Sequence, residues 1–242
     1  MRSKRRTGNK LALPGTRFSG SLVSKLVASL LGTLACLAMS ACKPASDASR
    51  TVEGRSKAVQ ESSAQAKGED TLVQLAASSY QQRIQEAARE HVANAKRMQE
   101  AKVLDMSGVT QREQLETKRE VVRKFLASNE ALKSLLANKE AVFTEELAKL
   151  NVPQARIKSE LKAFQSGGQD IAVTIRRRET DQRIGNSLLG ALDFLDEIWG
   201  QWNYSKEYSQ VRFSPPGALR KYNEFMEAIE AASREQKEVQ EQ

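Results

Sequence analysis

The chain is poor in the residues that most often build reactive centres. It has one histidine and two cysteines in 242 residues. Zinc and copper sites of the usual kinds need several such ligands, so they are not expected. No Gly-rich phosphate loop, HExxH, GxSxG or EF-hand pattern occurs. The sequence therefore implies no cofactor and no metal, and it reads as a non-enzyme. Proline is also scarce, with five residues, and aromatics make up only 5%. What remains is rich in Ala, Glu, Lys, Gln and Leu, a composition that favours helix.

A further absence divides the chain. Residues 1–41 contain no Asp or Glu but seven Lys or Arg: Arg2, Lys4, Arg5, Arg6, Lys10, Arg17 and Lys25. An apolar run, LVASLLGTLACLAMSA, follows from Leu26 to Ala41. It is shorter than the roughly 20 residues of a spanning helix. A basic segment, a short apolar segment and a small-residue site describe a secretory signal peptide. The basic segment is long, which fits either an extended signal or a later start. Arg5-Arg6 lacks the apolar residues that twin-arginine export places after the pair, since Thr7-Gly8-Asn9 follows.

The end of the run, Met39-Ser40-Ala41-Cys42, resembles the lipobox of bacterial lipoproteins, with Met39 where Leu is usual. The resemblance implies cleavage before Cys42 and lipid on its sulfur and new amino terminus. An uncleaved anchor and ordinary secretion are the alternatives. Cleavage would change the charge of the chain. All 30 acidic residues follow Cys42, whereas seven of the 38 basic ones precede it, so the formal charge falls from +8 to +1. The basic patch that nucleic-acid binding needs is then missing, and no nucleic-acid partner is expected. Cys36 would leave with the signal and Cys42 would be lipidated, so no disulfide could form.

Residues 42–69 carry almost no apolar residue larger than Ala, apart from Val52 and Val59, and read as the lipidated cysteine followed by a flexible tether. The 27 residues after the cysteine would reach about 90 Å when extended and about 30 Å as a coil. Residues 70–242 are then the folded domain, expected to be all-α, an elongated bundle of four or five helices. Apolar spacing predicts a first helix from Asp70 to about Val103, with Leu72, Leu75, Tyr80, Ile84, Ala88, Val92, Ala95 and Met98 inward. Thr110 to Glu113 reads as a capping box opening a second helix to about Leu150, with Ser128-Asn129 a candidate interruption. A short helix over 153–165 should stop at Gly167-Gly168. A fourth should run from about Asp170 to Gln201. Trp202 to Phe213 reads as irregular, with room for one extended piece. Ser214 and Pro215 are expected to open a last helix, with Leu219, Tyr222, Phe225, Met226 and Ile229 inward. The tail after Ala232 should fray. Stripes built largely on Ala suggest close helix approach or a partner chain.

Few residues are candidates for chemistry. His91 reads as a surface or boundary residue. Arg176-Arg177-Arg178 reads as a salt-bridged surface, with a phosphate or lipid-headgroup role as the sharper alternative. Asp193, Asp196 and Glu197 share a helix face near Trp199, a pattern that could serve a cation or acid–base chemistry on sugar. Eight of the 13 aromatics fall between Phe194 and Phe225. A local core explains most of them. Trp202, Tyr204 and Tyr208 lie outside the clear helical stripes and are the candidate partner-binding residues.

The stretch LDFLDEIWGQWNYSKEYSQVRFSPPGALRKYNEF, from Leu192 to Phe225, resembles the end of the YiaF-type bacterial lipoproteins, a family of unknown function. The likeness rests on a helix ending near a Gly, the segment Val211-Arg212-Phe213, and a helix carrying Tyr222-Asn223. It implies an envelope lipoprotein and supplies no catalytic residue. Lys43 after the cysteine resembles outer-membrane sorting. The expected function is a lipid-anchored, periplasm-facing binding or scaffold protein, with an envelope protein or a second copy as partner. The alternative is an enzyme or ligand-binding domain acting on cell-wall or lipid material through the acidic and aromatic region 193–213.

Overall fold

A computed structural model describes residues 57–166 and 171–240, with side chains over 67–165 and 171–239. The signal segment, Cys42, the first part of the tether and the Gly167-Gly168 stop lie outside the described residues. The chain is all-α, with six helices among the described residues rather than four or five, and one small hairpin. The order is α1 (Lys57–Glu100), α2 (Arg112–Ala137), α3 (Lys139–Lys149), α4 (Gln154–Ser166), α5 (Ile171–Glu197), β1 (Trp202–Ser205), β2 (Gln210–Phe213) and α6 (Ala218–Gln240).

Helix α1 starts thirteen residues before the expected Asp70. Residues 57–69 bury too little to fold alone, but Ala, Gln, Lys and Glu extend a helix already nucleated by packing further on. At its other end the helix is stopped by Lys102, whose φ of 43° is left-handed. Lys118 of α2 donates Nζ to the carbonyls of Ala101 (3.0 Å) and Lys102 (2.8 Å) just past the helix end, and the Lys102 carbonyl also accepts from the Asp105 N–H at 2.8 Å. Helix α2 is capped one residue later than expected. Gln114 Oε1 accepts from the backbone N–H of Gln111 at 2.9 Å and of Thr110 at 2.7 Å.

Ser128-Asn129 does not interrupt α2. Both are buried within it, and Ser128 Oγ bonds the Phe125 carbonyl. The break comes at Asn138, whose side-chain amide donates back to Ser134 O at 3.0 Å. Helix α3 closes with Asn151 in the left-handed region (φ 56°). The N–H groups of Asn151 and Val152 reach Ala148 O (3.0 Å) and Leu147 O (3.2 Å), the paired bonds of a Schellman stop.

Helices α1, α2, α5 and α6 pack in that order, each chiefly on the next. The contacts Arg112–Asp196 and Asn129–Arg178 make α2 and α5 antiparallel, and Lys221–Glu197 and Gln236–Asp181 do the same for α5 and α6. The main core, around Phe125, Leu192 and Leu195, lies among these helices and the hairpin. A second core joins α3 and α4 to the earlier part of α1, where Tyr80, Phe143 and Phe164 meet edge to face and stacked. Ala88, Leu132 and Leu136 form a small cluster of their own, against which Ile171 and Ile175 pack.

The last helix departs from expectation at both ends. It opens at Ala218, after a turn in which Gly217 takes a φ of +80°, and not at Ser214-Pro215. Its end does not fray at Ala232 but stays helical to Gln240, because Gln236 and Val239 are buried. Leu219 of α6 and Leu75 of α1, both expected inward, are exposed. Among the described residues no helix is long and apolar enough to cross a membrane.

Candidate functional site

The stretch expected to be irregular is an antiparallel hairpin, pairing Trp202 with Phe213, Asn203 with Arg212, Tyr204 with Val211 and Ser205 with Gln210. Strand alternation sends Trp202, Tyr204, Val211 and Phe213 to the main core. The Trp202 indole N–H donates to Leu195 O at 2.7 Å, and its ring meets Trp199 edge to face at 5.6 Å. Two of the three candidate contact residues, Trp202 and Tyr204, are therefore half-buried and pack on the core. Tyr208, at the turn, is 54% exposed. The Arg212 guanidinium lies 4.3 Å from the centre of its ring. Tyr208, Arg212 and Asn203 face solvent, as do the turn residues Lys206, Glu207 and Ser209.

The acidic group beside the hairpin is neutralised from neighbouring helices. Asp196 bonds Arg112 Nε and Nη2 and Arg119 Nη1, the last at 2.9 Å. The Arg112 hydrogen bonds, followed by those of Arg119, hold its carboxyl below the usual range. Asp193 pairs with Arg119 at 3.3 Å, and Glu197 with Lys221 at 3.3 Å. These carboxylates tie α5 to α2 and α6. Among the described residues no cluster of His, Cys, Asp and Glu could hold a metal ion.

His91 is not a boundary residue. It is 3% exposed and lies against Phe125, with ring centres 5.1 Å apart. Its Nε2 is 3.3 Å from Asp181 Oδ2, and Arg178 Nη2 is 3.0 Å from the same oxygen. Gln236 Nε2 donates to Asp181 Oδ1, and Asn129 Nδ2 donates to Arg178 O at 2.7 Å. Burial pushes the His91 imidazole below its ordinary value of 6.5; Asp181 acts the other way, and Arg178 adds to the lowering.

The basic run is only partly a surface. Arg178 is buried on Asp181, Arg177 Nη2 reaches Val239 O at 3.4 Å, and Arg176 pairs with Glu235 at 3.6 Å. The layer was legible in part. Ile84, Ala88, His91, Ala95 and Met98 follow four- and three-residue steps, which places His91 on the stripe rather than Val92.

A second polar cluster had weaker sequence signs. Glu146 of α3 accepts from Ser79 Oγ (2.6 Å), Arg83 Nη1 (2.7 Å) and Lys149 Nζ (3.0 Å). The hydrogen bonds from Ser79 and Lys149 lead in holding its carboxyl down to about 2. Only its position between Phe143 and Leu147 on one helix face marked it as inward.

Comparison with known proteins gives no match to a family model, a curated protein or a solved structure.

Proposed function

We propose that the chain is a lipid-anchored, periplasm-facing helical protein of the bacterial envelope that works by binding and not by catalysis. The observation that carries this reading is Cys42, placed after an acid-free basic segment and a 16-residue apolar run ending Met39-Ser40-Ala41. Lys43 favours the outer membrane, and the likeness of Leu192–Phe225 to YiaF-type lipoproteins favours the same setting. The fold offers a suitable display. Helix α1 is about 65 Å long by its 44 residues. Its last turns share a core with Trp202. The exposed Tyr208 and Arg212 therefore belong with the C-terminal end of α1, the end farther from Cys42 along the chain. An aromatic ring and a guanidinium are the side chains that most often anchor protein contacts. The partner is an envelope protein or a second copy of the chain. The carboxylates that an enzymatic reading would use, Asp193, Asp196 and Glu197, are each held by an Arg or Lys.

Anchoring is tested by Cys42→Ser, which should leave an unprocessed precursor without incorporated fatty acid. Normal processing and lipid labelling of that variant would overturn the assignment. Binding is tested by a photocrosslinking residue at position 208 in cells. A discrete crosslinked species, lost on Arg212→Ala while the melting temperature holds, supports the hairpin surface. No discrete crosslink from position 208 would place the contact elsewhere, and one that persists in Arg212→Ala would remove the guanidinium from the contact.

A further inference from the structure

Four helices each place a polar side chain where an apolar one would fill the stripe: His91 of α1, Asn129 of α2, Asp181 of α5 and Gln236 of α6. All four are less than 5% exposed, and Arg178 of α5 joins them. In α6 the stripe runs Tyr222, Phe225, Ile229, Ala232, Gln236, Val239, in steps of three and four, so Gln236 occupies a true core position. Beyond Ile229 the helix offers the core only Ala232, Gln236 and Val239 as buried side chains. Of these, Gln236 is held by Asp181 in the buried layer, while Glu235 pairs with Arg176 and Arg183 at its edge.

We propose that this layer is an acid-sensitive latch, in which protonation of His91 releases the end of α6, residues 232–240, from the bundle. With His91 neutral, the Arg178 guanidinium and the Asp181 carboxylate balance. Protonation sets two buried cations against one anion, since arginine keeps its charge. The new proton sits on Nδ1, which is buried and has no hydrogen-bond partner. An unpaired buried donor and an uncompensated buried charge both favour admitting water. The element that gives way first is the end of α6, because that helix packs chiefly on α5 alone whereas α1, α2 and α5 each have further helix neighbours.

The charged and titratable groups facing the layer are few. Helix α1 brings His91. Helix α5 brings Arg178, Asp181 and Arg177, whose guanidinium reaches Val239 O. Helix α6 brings Glu235, paired with Arg176 and with Arg183 (2.7 Å), and α2 brings the neutral Asn129 and, one turn on, Lys133, which donates to Gln182 Oε1 at 2.9 Å and pairs with Glu130. Of these, only His91 ordinarily titrates between about pH 5 and 8. A polar layer that merely fixed helix register would, on protonation of His91, weaken all the helices it joins alike and not the end of α6 first.

His91 is the only histidine, so its ring signals in a proton–carbon spectrum of the untagged full chain report one group. Hydrogen exchange, corrected for intrinsic rates, is measured in parallel between about pH 7.5 and 5. Protection of 232–240 should fall about tenfold or more as the imidazole titrates, while 143–157 changes little. His91→Gln, which keeps a polar side chain but cannot titrate, should abolish the change. Should that variant not fold, coincidence of the two wild-type midpoints decides. An imidazole that titrates without loss of protection at 232–240 would overturn the latch. So would an imidazole that never titrates in this range, a loss that persists in His91→Gln, or equal loss across all helices.

Discussion

Gly190 of α5 lies directly beneath the Phe225 ring of α6, and a Cβ built there would stand 2.6 Å from the ring's Cε1. Gly185, one and a half turns earlier, meets Leu126 of α2 in the same way, at 2.5 Å from Cδ2. Helix α5 thus uses its two glycines to seat side chains from helices on either side. The close approach suggested by the Ala-rich stripes is realised here by glycine.

Gly190→Ala should therefore destabilise despite the better helix propensity of alanine. The overpacking cost is about 1–3 kcal/mol, against about 1 kcal/mol gained from propensity. Chemical denaturation of the single variant and of Gly190→Ala with Phe225→Leu checks this. The smaller side chain should recover part of the loss. A Gly190→Ala variant more stable than wild type would show that the ring moves aside freely.

Trp202 and Tyr208 should separate cleanly. Trp202 packs on Trp199 and the core and hydrogen-bonds Leu195 O. Trp202→Ala should cost about 3 kcal/mol and lower the melting temperature markedly. Tyr208 is mostly exposed and loses only its contact with Arg212, so Tyr208→Ala should cost under about 1 kcal/mol. Equal melting temperatures for the two variants would contradict this division of the hairpin into a packed and a free face.

Much of the helical architecture was legible because its signals are local. Apolar spacing located the long helices, and Pro153 marked the start of α4 to within a residue. The misses share a cause, which is stabilisation by residues distant in sequence. Nothing near Asn138 says that α2 must end there while Ser128-Asn129 continues, because the Asn129 side-chain N–H finds its acceptor in Arg178 O, 49 residues away. The α6 end looked polar because Gln236 finds its partner on α5. Asp193, Asp196 and Glu197 resembled a free cluster because Arg112 and Arg119 reach the first two from a helix some 74–84 residues earlier, and Lys221 reaches Glu197 from the next helix. The hairpin was hidden by shortness, since four-residue strands give too few alternations to read.

Arg119 should matter more than a surface arginine. Its side chain is 12% exposed and pairs with Asp196, Asp193 and Glu116. Arg119→Ala leaves the Asp196 carboxylate, only 14% exposed, with Arg112 alone. The expected loss is about 1–2 kcal/mol, above the usual value for an exposed pair. Urea titration checks it, and adding Asp196→Asn should recover part of the loss, since the neutral amide no longer needs the cation. A fully additive double variant would mean the two side chains are not coupled.

Glu146 gives a second, lower acid transition, located where α3 meets α1. Its carboxyl is held down to about 2, from an ordinary 4.5, first by the Ser79 hydroxyl and then by Lys149 and Arg83. A depressed carboxyl means that the unfolded chain binds the proton more readily than the folded one. The stabilisation is therefore complete above about pH 4.5 and is lost as the pH falls toward about 2. The His91 contribution has the same sense but begins to fall at about pH 6.5, above the onset of the Glu146 loss. Glu146→Gln removes the lower one. It should melt below wild type at neutral pH, and the two melting curves should converge as the pH approaches about 2. The weakening should show first in exchange protection of α3, because Phe143 and Leu147 flank Glu146 in the second core. Melting temperatures that stay a constant distance apart down to that pH would mean that the carboxylate charge contributes nothing there, and that Glu146 matters only for its packing.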